Sequence, residues 1–124
     1  MPILEWQAYL RLIEFDFCIA NRSISAVYEA VRRCCPASSS GSQDAVERVC
    51  RAIDVACVWY WKQVLCLQRS AATVCLLKRY GVAATLVIGV QPLPFKAHAW
   101  VEVDGQVVND KSYLPELYLV LDRC

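Results

Sequence analysis

The chain has 124 residues, enough for one domain with its own core and too few for two. Its 13 Lys and Arg stand against 12 Asp and Glu, a formal net charge of +1, so there is no basic field to hold a nucleic-acid backbone. With 57% hydrophobic and 20% charged residues, a disordered chain is excluded as well.

The first residues, MPILEWQAYLRLIE, have no basic n-region, place Glu5 and Arg11 inside any apolar export core, and offer no small-residue cleavage site. The longest uncharged run, YGVAATLVIGVQPLPF, is broken by Gly and Pro and is too short to span a bilayer. A cytoplasmic protein without a transmembrane segment is therefore expected, with its eight cysteines as free thiols. No C-x-x-C pair is present and the chain has one histidine, so neither a metal site nor a cofactor is expected.

In chain order, residues 3 to 20 lack Pro and Gly and place Gln7, Arg11 and Glu14 in a polar stripe, which predicts a helix apolar over much of its circumference. A second short helix is predicted to start after Ser23 or Ser25 and to stop near Cys35-Pro36. The Ser/Gly stretch at 36–43 reads as a surface loop. Asp44 and Glu47 form a capping-box pattern ahead of Val46, Val49, Cys50, Ile53, Cys57, Tyr60 and Trp61, which recur at helical spacing. A buried helix is predicted from Cys66 to Tyr80, closed by Gly81 in the left-handed conformation. ATLVIGV then reads as a strand, KAHAWVEVDGQVVND as a hairpin turning at Asp104-Gly105, and LYLVLDRC as a further strand. Helices followed by meandering strands predict an α+β fold, with helices grouped on one antiparallel sheet.

The hairpin register bears on function. A strict two-residue loop makes Val103 face Gln106 and leaves His98 and Asp110 on opposite sides of the sheet, whereas a three-residue loop over Val103 to Gly105 makes them direct neighbours. The second register is expected. In either, Ala97, Ala99 and Val101 share one face of the strand and His98, Trp100 and Glu102 the other.

Any Cys or Ser nucleophile in this chain must use His98 as its base, and Asp110 is the group best placed to orient the imidazole. Of the eight cysteines, Cys66 falls at a predicted helix start, where unpaired amides and partial positive charge favour a thiolate; Cys75, half a turn away, is expected to pack in the core. The residues alone also allow a blander account. A cysteine in an apolar helix is commonly a small hydrophobe, and a lone strand histidine is commonly structural. Arg69, Ser70 and Thr73 either wall a site or satisfy buried hydrogen bonds, and Trp59, Tyr60, Trp61 and Trp100 either line a groove or fill the core.

At these residues the chain resembles a family. CLQRSAATVCLLKRYGVAATLVIGV followed by PFKAHAWVEVDGQVVND resembles the transglutaminase-like leader peptidases of lasso-peptide biosynthesis. The motifs are Cys-Leu-x-Arg-Ser at Cys66 to Ser70, the leucine-rich helix ending in Gly81, Leu86 to Val90, Pro94-Phe95, Ala97 to Glu102 and Gly105 to Asp110. The resemblance covers most of residues 45 to 110; residues 1–43 look like a variable helical part and 44–124 like the catalytic core of a single domain. It implies a papain-like or transglutaminase-like cysteine protease fold, with Cys66 as nucleophile, His98 as base and acid and Asp110 as orienting carboxylate. It also implies a precursor peptide with leader and core as substrate, a separate leader-recognition protein (a RiPP recognition element) and a lasso cyclase as later partner. The Cys66 amide then supplies one oxyanion donor, and Gln63 or a neighbour is a candidate for the second. Family members often carry a proline shortly before the cysteine, and WYWKQVLC has none. The competing readings are a transglutaminase-like acyltransferase and a non-catalytic leader-binding adaptor; a membrane-peripheral first helix is disfavoured by its few cations.

Overall fold

The computed structural model describes residues 3–21, 24–34, 43–92, 95–110 and 114–124. The expected Ser23 cap, the Cys35-Pro36 step, the Ser/Gly stretch up to residue 42 and the Pro94 turn lie outside them. The elements are α1 (Ile3–Asn21), α2 (Ile24–Arg33), α3 (Gln43–Trp59), α4 (Cys66–Arg79), β1 (Ala84–Pro92), β2 (Phe95–Val103), β3 (Gln106–Val107), α5 (Leu114–Leu117) and β4 (Leu119–Arg123). The fold is α+β, with the strands in one antiparallel sheet of order β3-β2-β1-β4.

Helix α4 is the centre of the packing. Ala71, Ala72, Thr73, Val74, Cys75, Leu76 and Leu77 are all buried, because α1 and α3 cover it on one side and β1 and β2 on the other. The expected stop is seen: Gly81 has φ 84°, its amide donates to Lys78, and the Val82 amide donates to Leu77, a Schellman closure that a left-handed glycine permits. Cys75 is 1% exposed in this core, as expected from its place opposite Cys66.

Helix α1 buries a narrower strip than its sequence suggests. Ala8, Leu12 and Phe15 are fully buried, whereas Ile3, Trp6, Leu10, Ile13 and Phe17 are exposed at alternating spacings of three and four. Helix α3 begins at Gln43, so Asp44 lies inside its first turn and pairs with Arg48 at 3.8 Å rather than standing before the helix as its cap.

The sheet departs from expectation in the second hairpin. Strands β1 and β2 pair along their whole length, from Ala84 with Val103 to Pro92 with Phe95. Strand β3 pairs only Glu102 with Val107 and Val103 with Gln106, so the loop has two residues. Asp104 at φ 53° and Gly105 at φ 77° form the primed turn whose twist matches the flanking strands, and this local preference defeats the expected three-residue loop. The short helix α5 was not foreseen either. It covers the sheet face opposite α4, where Leu114 joins Val87 and Trp100 in a second small apolar cluster.

Candidate active site

Helix α4 starts at Cys66 because the chain before it is clamped. Leu65 is extended (φ −78°, ψ 154°), and its amide donates to the side-chain oxygen of Gln68 at 3.3 Å. The Gln68 amide nitrogen, on a side chain 1% exposed, donates to the Leu12 carbonyl of α1 at 2.8 Å. Upstream, the Tyr60 hydroxyl donates to Asp16 at 2.7 Å and Lys62 pairs with the same carboxylate at 2.8 Å. The Lys62 hydrogen bond holds the Asp16 carboxyl below its ordinary range, against burial, which raises it. Burial, with Asp16 adding to it, pushes the Tyr60 hydroxyl up to about 12. These ties to α1 do the work for which a proline was missing, and they leave Cys66 exposed in the first turn, where backbone amides have no intrahelical acceptor.

Burial pushes Cys50 up to about 11 and raises Cys57, Cys75 and Cys124 as well, so these sulfurs are held as neutral thiols.

Cys66 and His98 line one cavity of about 130 Å³, walled otherwise by Tyr28, Leu67, Ile88 and the alanines flanking the histidine. His98 Nε2 lies 2.8 Å from Asp110 Oδ2. A carboxylate only accepts, so Nε2 donates the hydrogen, and in the neutral imidazole Nδ1 is the lone-pair nitrogen. The imidazole rests beside Tyr118 and Trp100, with ring centroids 5.7 and 6.2 Å away. A wider groove of about 660 Å³ between α3 and the β2–β3 hairpin includes neither Cys66 nor His98. Among the described residues, no three His, Cys, Asp or Glu side chains converge as a metal site would require.

The remaining expected site residues are dispersed. Gln63 and Trp61 are exposed in the segment before α4 and do not line the Cys66 cavity; Lys62 stands 5.0 Å over the Trp61 ring. Arg69 forms an ion pair with Asp54 of α3. Ser70 is 1% exposed and donates to the Ala99 carbonyl at 3.1 Å, tying α4 to β2 behind the cavity. Trp100 is fully buried, with its indole nitrogen donating to Glu102 at 3.0 Å. Burial thus removes Ser70 and Trp100 from the surface a substrate would touch.

Three residues that position the site escaped sequence reasoning. Gln68 is at the third helical position, where a Gln commonly completes a capping box, but the Leu at the cap position concealed that pattern. Asn109 and Tyr118 carry no local signal, since their partners are 8 or more residues away.

Residues 9–122 match the family described as the transglutaminase-like superfamily. The chain is similar to the microcin J25-processing protein McjB of Escherichia coli, at 51% identity over 45 residues. That match covers 36% of this chain and 22% of the relative, so the matched segment spans under a quarter of the length of that curated protein. No solved structure matches.

Proposed function

The chain belongs to the transglutaminase-like superfamily, and from that membership we propose that it is a cysteine peptidase that removes the leader from a ribosomally made lasso-peptide precursor. The observation that carries the reading is the shared cavity of Cys66 and His98, with His98 tied to Asp110 at 2.8 Å. The likeness to a microcin-processing protein supports the substrate class. Exposed apolar residues along α1, among them Trp6, Leu10 and Ile13, are surface of the kind a second protein covers, and they support action with a leader-recognition partner.

The reaction follows from the groups present. His98 Nδ1 takes the Cys66 proton and the sulfur attacks the carbonyl joining leader to core. The first-turn amide of α4 at Cys66 stabilises the oxyanion. The histidine then returns its proton to the departing core amine, leaving the leader as a thioester on Cys66. Water, deprotonated by the same nitrogen, releases the leader acid. The freed core amine is the nucleophile that a lasso cyclase would use next. Asp110 holds the imidazole tautomer throughout and never needs to take the proton.

The test is to incubate the protein with a leader-core precursor and its recognition partner and to weigh the products. Two fragments whose masses sum to precursor plus one water support the peptidase. Transfer of the leader to an added amine, with no hydrolysis, would convert the assignment to an acyltransferase. An intact precursor bound without turnover would leave an adaptor.

A further inference from the structure

The two-residue turn at Asp104-Gly105 sets a register that, continued, puts Asp110 on the wrong side of the sheet from His98, yet the two touch. The register must therefore be broken after Val107, and the structure shows where. The next pair, Val101 with Val108, belongs to the hydrogen-bonded type and should exchange two backbone bonds. One is made, from the Val108 amide to the Val101 carbonyl at 3.0 Å. For the other, the Val101 amide donates to the side-chain oxygen of Asn109 at 2.8 Å. The displaced Val108 carbonyl faces α3 instead, where the Cys50 thiol donates to it at 3.6 Å. The Asn109 amide nitrogen in turn donates to Ser70 Oγ at 3.1 Å, and Ser70 is itself fixed on Ala99.

We propose that Asn109 is the positioning residue of the His98–Asp110 pair: its side-chain carbonyl takes the β2 amide of Val101 in place of the Val108 carbonyl and its amide anchors to α4, so that the bend turns Asp110 onto the imidazole. The inference rests on the peptidase reading for its catalytic meaning. Asn suits the task because its side chain offers an acceptor and a donor on one carbon, on a stem short enough to imitate the backbone. Alanine there lacks both groups, serine carries both on a single oxygen closer to the backbone, and Gln carries them one methylene too far.

The chain contains a single histidine, so imidazole nitrogen signals in a ¹⁵N-labelled sample belong to His98 without assignment. In the unaltered protein the Nε2–H tautomer should dominate. Asn109→Ala should shift a large share to the Nδ1–H tautomer, as Asp110→Ala should, and lower kcat by about 10- to 100-fold while KM changes about twofold or less. Ser70→Ala, which removes only the anchor on α4, should give a smaller shift of the same kind and serves alone if Asn109→Ala does not fold. An Nε2–H tautomer kept in Asn109→Ala, or in Ser70→Ala if that is the folded variant, overturns the proposal. If the unaltered protein cleaves no precursor, the peptidase reading fails, whereas the tautomer signal still decides whether Asn109 places Asp110.

Discussion

Strand β2 has two faces with opposite demands. On the α4 side, Ala99 and Val101 are buried against a helix that is itself buried, and Ser70 bonds the Ala99 carbonyl, so this face accepts only small, apolar groups. On the other side, His98, Trp100 and Glu102 form a line in which each polar atom is directed: His98 to Asp110, Trp100 to Glu102, and Glu102 to Arg123 at 3.6 Å. The period of two along one strand thus separates a surface defined by volume from one defined by hydrogen bonds. His98 and both flanking alanines nevertheless line the cavity that Cys66 shares.

The sharpest way to break this contrast is to substitute on both faces and read different quantities. Cys66→Ala and His98→Ala should abolish precursor cleavage, a loss of about 10³-fold or more in rate, with little change in melting temperature, because Cys66 is exposed and His98 is only partly buried. Cleavage persisting in either variant, measured by product mass, would end the peptidase reading. Asp110→Asn keeps the shape but, with a donor as well as an acceptor, no longer holds the hydrogen on Nε2, and should slow turnover by about 10²-fold or more while binding of precursor holds.

On the helix side the currency is stability. Val101→Phe should cost about 1 to 3 kcal/mol in urea unfolding, since Val101 is fully buried and the added atoms must displace its neighbours in the core. Gly89 extends the same demand to the opposite face at one point. A Cβ there would stand 2.7 Å from the Trp100 ring and 2.8 Å from the Tyr118 Cβ, both next to His98, so Gly89→Ala should destabilise by a similar amount and perturb the imidazole as well. An alanine variant of unchanged stability would show that Trp100 and Tyr118 have room to part.

A third test uses the thiols. Iodoacetamide near neutral pH should modify exposed Cys66 well before Cys50, Cys57, Cys75 or Cys124, which burial keeps protonated and covered; peptide mapping gives the order. Equal labelling of Cys50 would mean that the helix side opens readily. The smallest effect concerns pH. The folded carboxyl of Asp16 titrates below its unfolded range of about 4, so its contribution is present above that range and is lost as pH falls through the depressed value. Asp16→Asn should therefore flatten the acid limb of the stability profile, and an unchanged limb would show that Lys62 does not hold that carboxylate in solution.

Much of the fold was legible because its signals are local. The helical period over α1, α3 and α4, the glycine that closes α4, the β-branched run of β1 and the Asp-Gly turn each act within a few residues. Parity along β2 likewise placed His98 and the alanines on opposite faces. The register of the second hairpin was misjudged for an instructive reason: a three-residue loop was expected because it brings His98 to Asp110, while the turn obeyed its own backbone preference and the contact was achieved by other means. WYWKQVLC carries no proline to mark the boundary before Cys66, and a buried Gln68 and the Asp16 clamp set it instead.

By itself, the order of residues determined which elements form, which single imidazole exists and which cysteine begins a helix, since propensity, period and capping act between neighbours along the chain. Only the tertiary structure decided how the groups meet. Asn109 takes over a strand hydrogen bond from Val108, Gln68 grips α1, and Ser70 joins α4 to β2, each through a partner 8, 56 or 29 residues distant. Such bonds exist only after the core has formed, because packing brings those donors and acceptors within reach and removes the water that would otherwise satisfy them.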